Sequence, residues 1–245
     1  RQAGDAAVLL EYGEMTLDFH LRARVHAFEQ ALEAHPVAGV RATAPCIRST
    51  MIHFDPGVVS QRDVLHALVA VERALPDTMR ELVFPGRRVT FPVVLDDRWS
   101  RDALERYARS VRDEAAYLPS NVEYLARNNG LAGAEAALRM LVGTDWVRAG
   151  LVFGVGFYLA CPFLVPGALG IAGPVAAVYP IESPGGYQLF GRTLPPWQTW
   201  GHGAGFAPAQ PWLLRPFDQV AFRAVSEAEY RALEQQFDAG QYVFE

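Results

Sequence analysis

Between Trp146 and Ala224 the chain is cut into short apolar runs by glycine and proline. Trp146 to Phe153, Ala168 to Ala172, Ala176 to Ile181, Tyr187 to Phe190 and Trp212 to Ala224 each read as a short strand bounded by turn residues. Many short strands with glycine-rich corners predict a small barrel or sandwich. The most apolar stretch, Leu151 to Ala177, is interrupted too often to be a membrane span.

The first third has a different texture. Ala6 to Tyr12 is a buried-strand pattern ended by Gly13. Leu17, Leu21, Val25, Phe28 and Leu32 then recur at helical spacing, with Asp18, Arg22, Arg24, Glu29 and Glu33 assigned to the other faces. His35-Pro36 stops that helix. Val40 to Ala44 and Ser49 to Phe54 predict two strands, and Ser60 with Asp63 caps a second helix lined by Val64, Leu68, Val71 and Leu75. Arg88 to Leu95 predicts a further strand, with Pro92 marking an edge or a bulge. Strand, helix, strand, strand, helix, strand is the ferredoxin-like order, unless the last strand belongs to the next domain.

From Asp97 the pattern is helical: Arg98 to Arg112, then Ser120 to Gly130 with a Ser120/Glu123 capping box and an Asn129-Gly130 stop, and Ala134 to Val142. Ser226 with Glu229 caps a final helix. The expected fold is therefore α+β: a ferredoxin-like α/β domain at 1–84, and a β-barrel domain at 85–245 with a helical insertion at about 98–142.

Composition removes several classes of function. At 245 residues, half of them hydrophobic and a fifth charged, the chain has enough apolar material for one large or two small cores. A net charge of -5 without a Lys/Arg run argues against a nucleic-acid partner. Cys46 and Cys161 are too isolated for a disulfide framework or zinc site, and the six histidines form no metal-binding spacing, so no metal is expected. His20 and His26 read as helix-surface residues. With no signal peptide or membrane segment visible, the expectation is a cytoplasmic soluble protein.

The passage Tyr179 to Thr193 carries residue choices that packing alone does not explain. Pro184-Gly185-Gly186 predicts a tight turn with glycine at positive φ and backbone amides open to a ligand. In the strand that follows, strict alternation would put Tyr187, Leu189 and Gly191 on one side and Gln188, Phe190 and Arg192 on the other. A carboxamide and a guanidinium would then stand together near the turn, suited to a small polar or anionic substrate, although a hairpin corner with a surface arginine has the same pattern. Asn121, Asn128 and Asn129 are amides that can pair with an amide substrate without adding charge, or can serve as cap and stop residues.

Read together, Gly4 to Tyr12, Pro119-Ser-Asn-Val-Glu-Tyr-Leu-Ala-Arg-Asn-Asn-Gly-Leu131 and Glu182-Ser-Pro-Gly-Gly-Tyr-Gln-Leu-Phe-Gly-Arg-Thr193 resemble the allophanate hydrolase subunit one family. Within it, the Pro-Ser-Asn-Val-Glu segment is most similar to the carboxyltransferase region of biotin-dependent urea carboxylase. The resemblance implies an N-terminal α/β domain and a cyclophilin-like β-barrel. It also implies an active site shared with a second, subunit two-type half, served by a biotin carboxylase and a biotin carrier protein bearing carboxybiotin. The implied reaction moves CO2 from carboxybiotin to a nitrogen of urea or a related amide. On this basis Gln188, Arg192 and Asn121 are the expected catalytic residues. Glu182, Ser183, Gly185, Gly186, Tyr187, Thr193 and Asn128 are the expected substrate-binding residues. Arg192→Ala is then expected to abolish turnover and spare the fold.

The wider family also contains a sporulation-kinase inhibitor and a 5-oxoprolinase component, which imply a non-catalytic regulatory module or a part of an oxoprolinase. Against the latter, Leu95-Asp-Asp97 stands where a Cys-Tyr-Gly-Gly-like segment is expected. Two departures touch the urea carboxylase pattern. Ala160-Cys-Pro-Phe-Leu-Val-Pro-Gly167 replaces a longer basic segment, and Gly154-Val-Gly-Phe-Tyr158 lacks an expected acidic residue.

Overall fold

The computed structural model of the chain describes residues 1–77, 81–147, 161–179, 181–198 and 202–245. The altered Gly154 to Tyr158 motif and most of the strand expected from Trp146 to Phe153 lie outside them. The chain is α+β and divides into two compact units, Arg1–Gly86 and the described residues from Arg87 to Glu245.

The first unit runs β1 (Ala7–Glu11), α1 (Phe19–Ala34), β2 (Val40–Pro45), β3 (Ser49–Phe54) and α2 (Gln61–Arg73). Its strands form an antiparallel sheet in the order β1-β3-β2. Val8, Ile52 and Phe54 on one face meet Phe28 and Leu32 of α1 and Val64 and Leu68 of α2 in a single core. Ser60 caps α2 through the Asp63 amide, as its spacing predicts. The closing strand of a ferredoxin-like unit is not among the described residues of this sheet.

The apolar stripe of α1 is rotated from the one expected. Leu17 precedes the helix and is exposed, whereas Arg22 is 3% exposed. Arg22, Val25, Glu29 and Leu32 share one face at helical spacing. Glu29 accepts hydrogen bonds from Thr43 and, at 2.6 Å, from Thr50, so its inward position is satisfied by the sheet. Burial draws the Arg22 guanidinium below its ordinary pKa, with Glu29 opposing.

The second unit begins with β4 (Arg88–Leu95), α3 (Arg98–Ser110), α4 (Asn121–Asn128), α5 (Ala134–Val142) and β5 (Trp146–Val147). It continues through β6 (Cys161–Leu164), β7 (Ala168–Ala172), β8 (Val175–Val178), β9 (Ser183–Gly185), β10 (Gln188–Thr193), β11 (Gln219–Ala224) and α6 (Glu227–Asp238). Six strands form one sheet in the order β5-β11-β4-β10-β7-β8, and β6 pairs with β9 in a second, two-stranded sheet. Among the described residues no pairing joins β5 to β8, and the described strands form an open sheet.

Phe91, Val93, Leu169, Phe190 and Phe222 face α4 and α5 in the largest core. Val94, one residue out of phase, packs with Leu194 and with Tyr230 and Phe237 of α6. Leu189 packs with Ala103 and Tyr107 of α3.

Pro92 is expected at an edge or bulge, yet β4 is central, parallel to β11 and antiparallel to β10. The β11 side of β4 is served by the carbonyls of Arg87 and Val93, which accept from Gln219 and Val225. Pro92 therefore points toward β10, whose ladder with β4 ends one residue earlier, at Thr193 and Val93. Its carbonyl is taken by Thr193 Oγ1 at 2.6 Å, and its missing N–H interrupts no ladder bond. Beside the start of β4, the Asp218 carboxylate, 1% exposed, accepts from the Arg87 side chain and the Arg215 N–H. Burial pushes its pKa up, but these bonds outweigh burial and hold it below the usual carboxylate range.

Candidate functional site

The segment Glu182 to Gln188 crosses from the small sheet into the large one. β9 pairs antiparallel with β6, bringing Ser183 opposite Leu164 and Gly185 opposite Cys161. Gly185 is buried, and an added Cβ would collide with Leu164 Cδ1 and the Tyr179 ring. Neither Gly185 nor Gly186 lies in the left-handed region. The glycine at 185 is thus required by close packing, not by the positive φ its turn pattern predicts. Gly186 is exposed, with nothing within 4 Å of a would-be Cβ, and Glu182 is also exposed.

Tyr187 is half-buried, its ring edge-on to Tyr179 at 6.5 Å. Gly170 on β7 permits this arrangement, since a Cβ there would stand 2.7 Å from Tyr187 Cβ. Glycine inside a strand is the sequence signal for such an approach, and it marks Gly170 as a wall residue that the motif reading missed. Gln188 follows, and its Oε1 is shielded from solvent and has no hydrogen-bond partner among the described residues.

β10 then breaks step. It advances two residues, from Leu189 to Gly191, while β7 advances one, from Gly170 to Leu169. The extra residue inverts the alternation. Leu189 and Arg192 both lie toward α3, in contact with Tyr107 and Trp99, and Phe190 enters the opposite core. Gln188 and Arg192 therefore do not share the face that strict alternation predicts.

Arg192 is held inside the protein. Its side chain is 12% exposed, its Nε donates to Pro166 O at 3.1 Å, and its Nη2 donates to Glu234 Oε1 at 2.9 Å. The guanidinium lies over Trp99 and, at 5.5 Å, over Tyr230. Tyr230 donates to Thr193 O at 3.1 Å, and burial raises its pKa against the pull of Arg192. Asp97, 2% exposed, caps α3 through Ser100 N and Oγ, and burial raises its pKa also. Trp99, Tyr230 and Glu234 give no motif signal, because they come to Arg192 from distant parts of the sequence.

Asn121 is 3% exposed. Its Oδ1 accepts the Leu189 N–H at 2.7 Å and its Nδ2 donates to Tyr117 O at 3.0 Å, while Ser120 caps the helix. Asn128 is exposed at the end of α4, and Asn129 bonds back to Leu125 O. Thr193 is fully buried. The structure thus brings together Ser183, Gly185 and Tyr187 as one wall, with Glu182 and Gly186 at its exposed rim. Gln188, paired with Ile171, lies on the sheet face opposite Leu189 and Gly170, away from that wall. Asn121, Arg192 and Thr193 stand behind it in packed surroundings, and Asn128 lies apart. A separate cavity of about 300 Å³ lies between α3 and the turn before α4, bordered by Glu105, Asp113, Glu114 and Pro119. Among the described residues no three His, Cys, Asp or Glu side chains could hold a metal, and no helix is long and apolar enough to cross a membrane.

The wall contains a segment of a known family. The sequence model of the carboxyltransferase domain, subdomains C and D, matches residues 1–204, and the chain belongs to that family. Urea amidolyase of Saccharomyces cerevisiae is 31% identical over 99% of the chain, which corresponds to 14% of that protein. The crystal structure of Kluyveromyces lactis urea carboxylase superposes over the whole chain with a TM-score of 0.83 at 29% identity, again over 23% of the larger protein. The B component of the 5-oxoprolinase of Bacillus subtilis is 27% identical over 96% of both chains. The chain spans about a fifth or less of the length of the urea amidolyase relative, so what that whole protein does is not thereby carried by this chain.

Proposed function

We propose that this chain forms one half of a biotin-dependent carboxyltransferase acting on urea or a related planar amide, with a second, subunit two-type half completing the site. The supporting observation is the Gln188 carbonyl, a neutral acceptor shielded from water and without a partner among the described residues, three residues after Gly185. An unsatisfied buried acceptor costs about 1–3 kcal/mol, and a ligand N–H that satisfies it recovers that cost. A neutral carboxamide suits a neutral amide, because a carboxylate there would bind a cation instead.

Gln188 orients the amide, and the Gly186 backbone is open enough to donate to an incoming carboxylate. The same acceptor fits the ureido N–H of biotin. Carboxybiotin presented by a carrier, itself charged by a biotin carboxylase, supplies the carboxyl group when bound. In this reading Arg192 and Thr193 fix the strand and do not touch substrate. The ferredoxin-like and cyclophilin-like assignments of the two units belong to the same proposal.

A second reading, a component of a 5-oxoprolinase, is favoured by the match to nearly the whole length of the Bacillus subtilis B component. Asp97 weighs against it, because the Leu95-Asp-Asp97 segment is spent on ending β4 and capping α3. The two separate in one assay of the complete natural protein with its second half, biotin carboxylase and biotin-loaded carrier. ATP-dependent incorporation of labelled bicarbonate into urea or a close analogue is expected. ATP-dependent cleavage of 5-oxoproline with no amide carboxylated would overturn the carboxyltransferase reading.

A further inference from the structure

In a regular ladder the Leu189 N–H would bond across to a neighbouring strand. Here it is given to the Asn121 side chain at 2.7 Å, at the residue where β10 and β7 lose register. Asn121 cannot turn away. Its Nδ2 is fixed on Tyr117 O, its residue is 3% exposed, and its backbone is held in the first turn of α4 by the Ser120 cap. Tyr117 is in turn tied to Tyr107 of α3 through a 2.8 Å hydroxyl pair. The position needs one acceptor and one donor in a single short side chain, which asparagine supplies and aspartate or leucine does not.

We infer that Asn121 is a positioning residue: by capturing the Leu189 N–H it sets the bulge in β10, and with it the face and place of the adjacent Gln188 carboxamide that takes the amide. Asn121 touches neither amide nor carboxyl group and acts through Gln188. The inference rests on the proposed function for what Gln188 binds, but the hold on Leu189 is independent of it. The side chain expected to be catalytic from its motif is thereby one step removed from substrate.

The test uses the complete protein and the variants Asn121→Leu, Asn121→Asp, Gln188→Ala and the Asn121→Leu/Gln188→Ala pair. Hydrogen exchange followed by mass spectrometry reads the segment containing Leu189. Asn121→Leu is expected to speed exchange there while leaving β4 and β11 protected, and Asn121→Asp, which keeps an acceptor, to restore most of the protection. In the carboxylation assay Asn121→Leu is expected to lower kcat/KM by about tenfold or more. The pair should be no worse than Gln188→Ala alone, because both act through one carboxamide. Losses that multiply in the pair, or unchanged exchange at Leu189 in Asn121→Leu, would overturn the inference. If the wild type carboxylates no amide, the functional reading fails, and the exchange result alone still decides whether Asn121 holds the strand.

Discussion

The Arg192 guanidinium carbon stands 4.4 Å from the centre of the Trp99 ring, with Glu234 closing the far side of the same group. This contact joins the end of β10 to the first turn of α3 and to α6. A guanidinium stacked on an indole and forked to a carboxylate and a carbonyl has few donors left for a ligand.

Arg192→Ala is therefore expected to weaken the fold by about 2–3 kcal/mol, through loss of the stack, the partly buried ion pair and the Pro166 bond. Arg192→Lys should recover only part, since an ammonium keeps the charge but neither the planar stack nor the fork. Urea midpoints of the three proteins check this. An unchanged midpoint in Arg192→Ala, with activity gone, would return Arg192 to the site that its motif suggests.

Gly185 and Gly186 separate packing from conformation. Gly185→Ala puts a methyl against Leu164 and Tyr179 and is expected to cost about 1–3 kcal/mol. Gly186→Ala meets open space at ordinary φ and should stay within about 0.5 kcal/mol of wild type. Thermal melts of the two variants are sufficient, and equal losses would contradict the geometry.

Thr193→Val keeps the shape of a fully buried side chain and removes its bond to Pro92 O. A loss of about 1–2 kcal/mol is expected, with KM for the amide unchanged at a temperature where both proteins are folded. A large rise in KM alone would place Thr193 in contact with substrate.

Asp218 gives a pH dependence of definite sign. Its pKa is lower in the folded chain than in the unfolded one, where a carboxyl titrates near about 3.9. Between the two values the unfolded state binds more protons, so stability rises with pH there. The contribution is fully present above about pH 5 and is lost as pH falls through the folded value. Asp218→Asn, which also leaves Arg87 without its charge partner, should cost about 2–3 kcal/mol at pH 7. Its deficit should shrink toward pH 3 in denaturant titrations at each pH. A deficit constant from pH 7 to pH 3 would show that the charge on Asp218 is immaterial.

Much of the fold is written in the order of residues. The stop at His35-Pro36 and the caps at Ser60, Ser120 and Ser226 set helix boundaries by bonds between residues three apart, and such local chemistry needs no tertiary partner. The three motif segments likewise mark the family, because their residue choices are contiguous. What the sequence does not reveal is long-range. Arg22 reads as solvent-facing until Glu29 meets the threonines of β2 and β3. Pro92 reads as an edge residue until the end of β10 falls one position before it.

One extra residue in β10 decides which of its side chains share a face. Alternation is a local rule and places Gln188 beside Arg192, but register is fixed by the neighbouring strand and by the Asn121 side chain, 68 residues away in the chain. The sequence alone determined that Glu182 to Thr193 is a chemically committed segment of a carboxyltransferase family. Only the tertiary structure decided that Gln188 and Arg192 stand on opposite faces of β10, because a strand's faces are set by what pairs with it and not by its own order of residues.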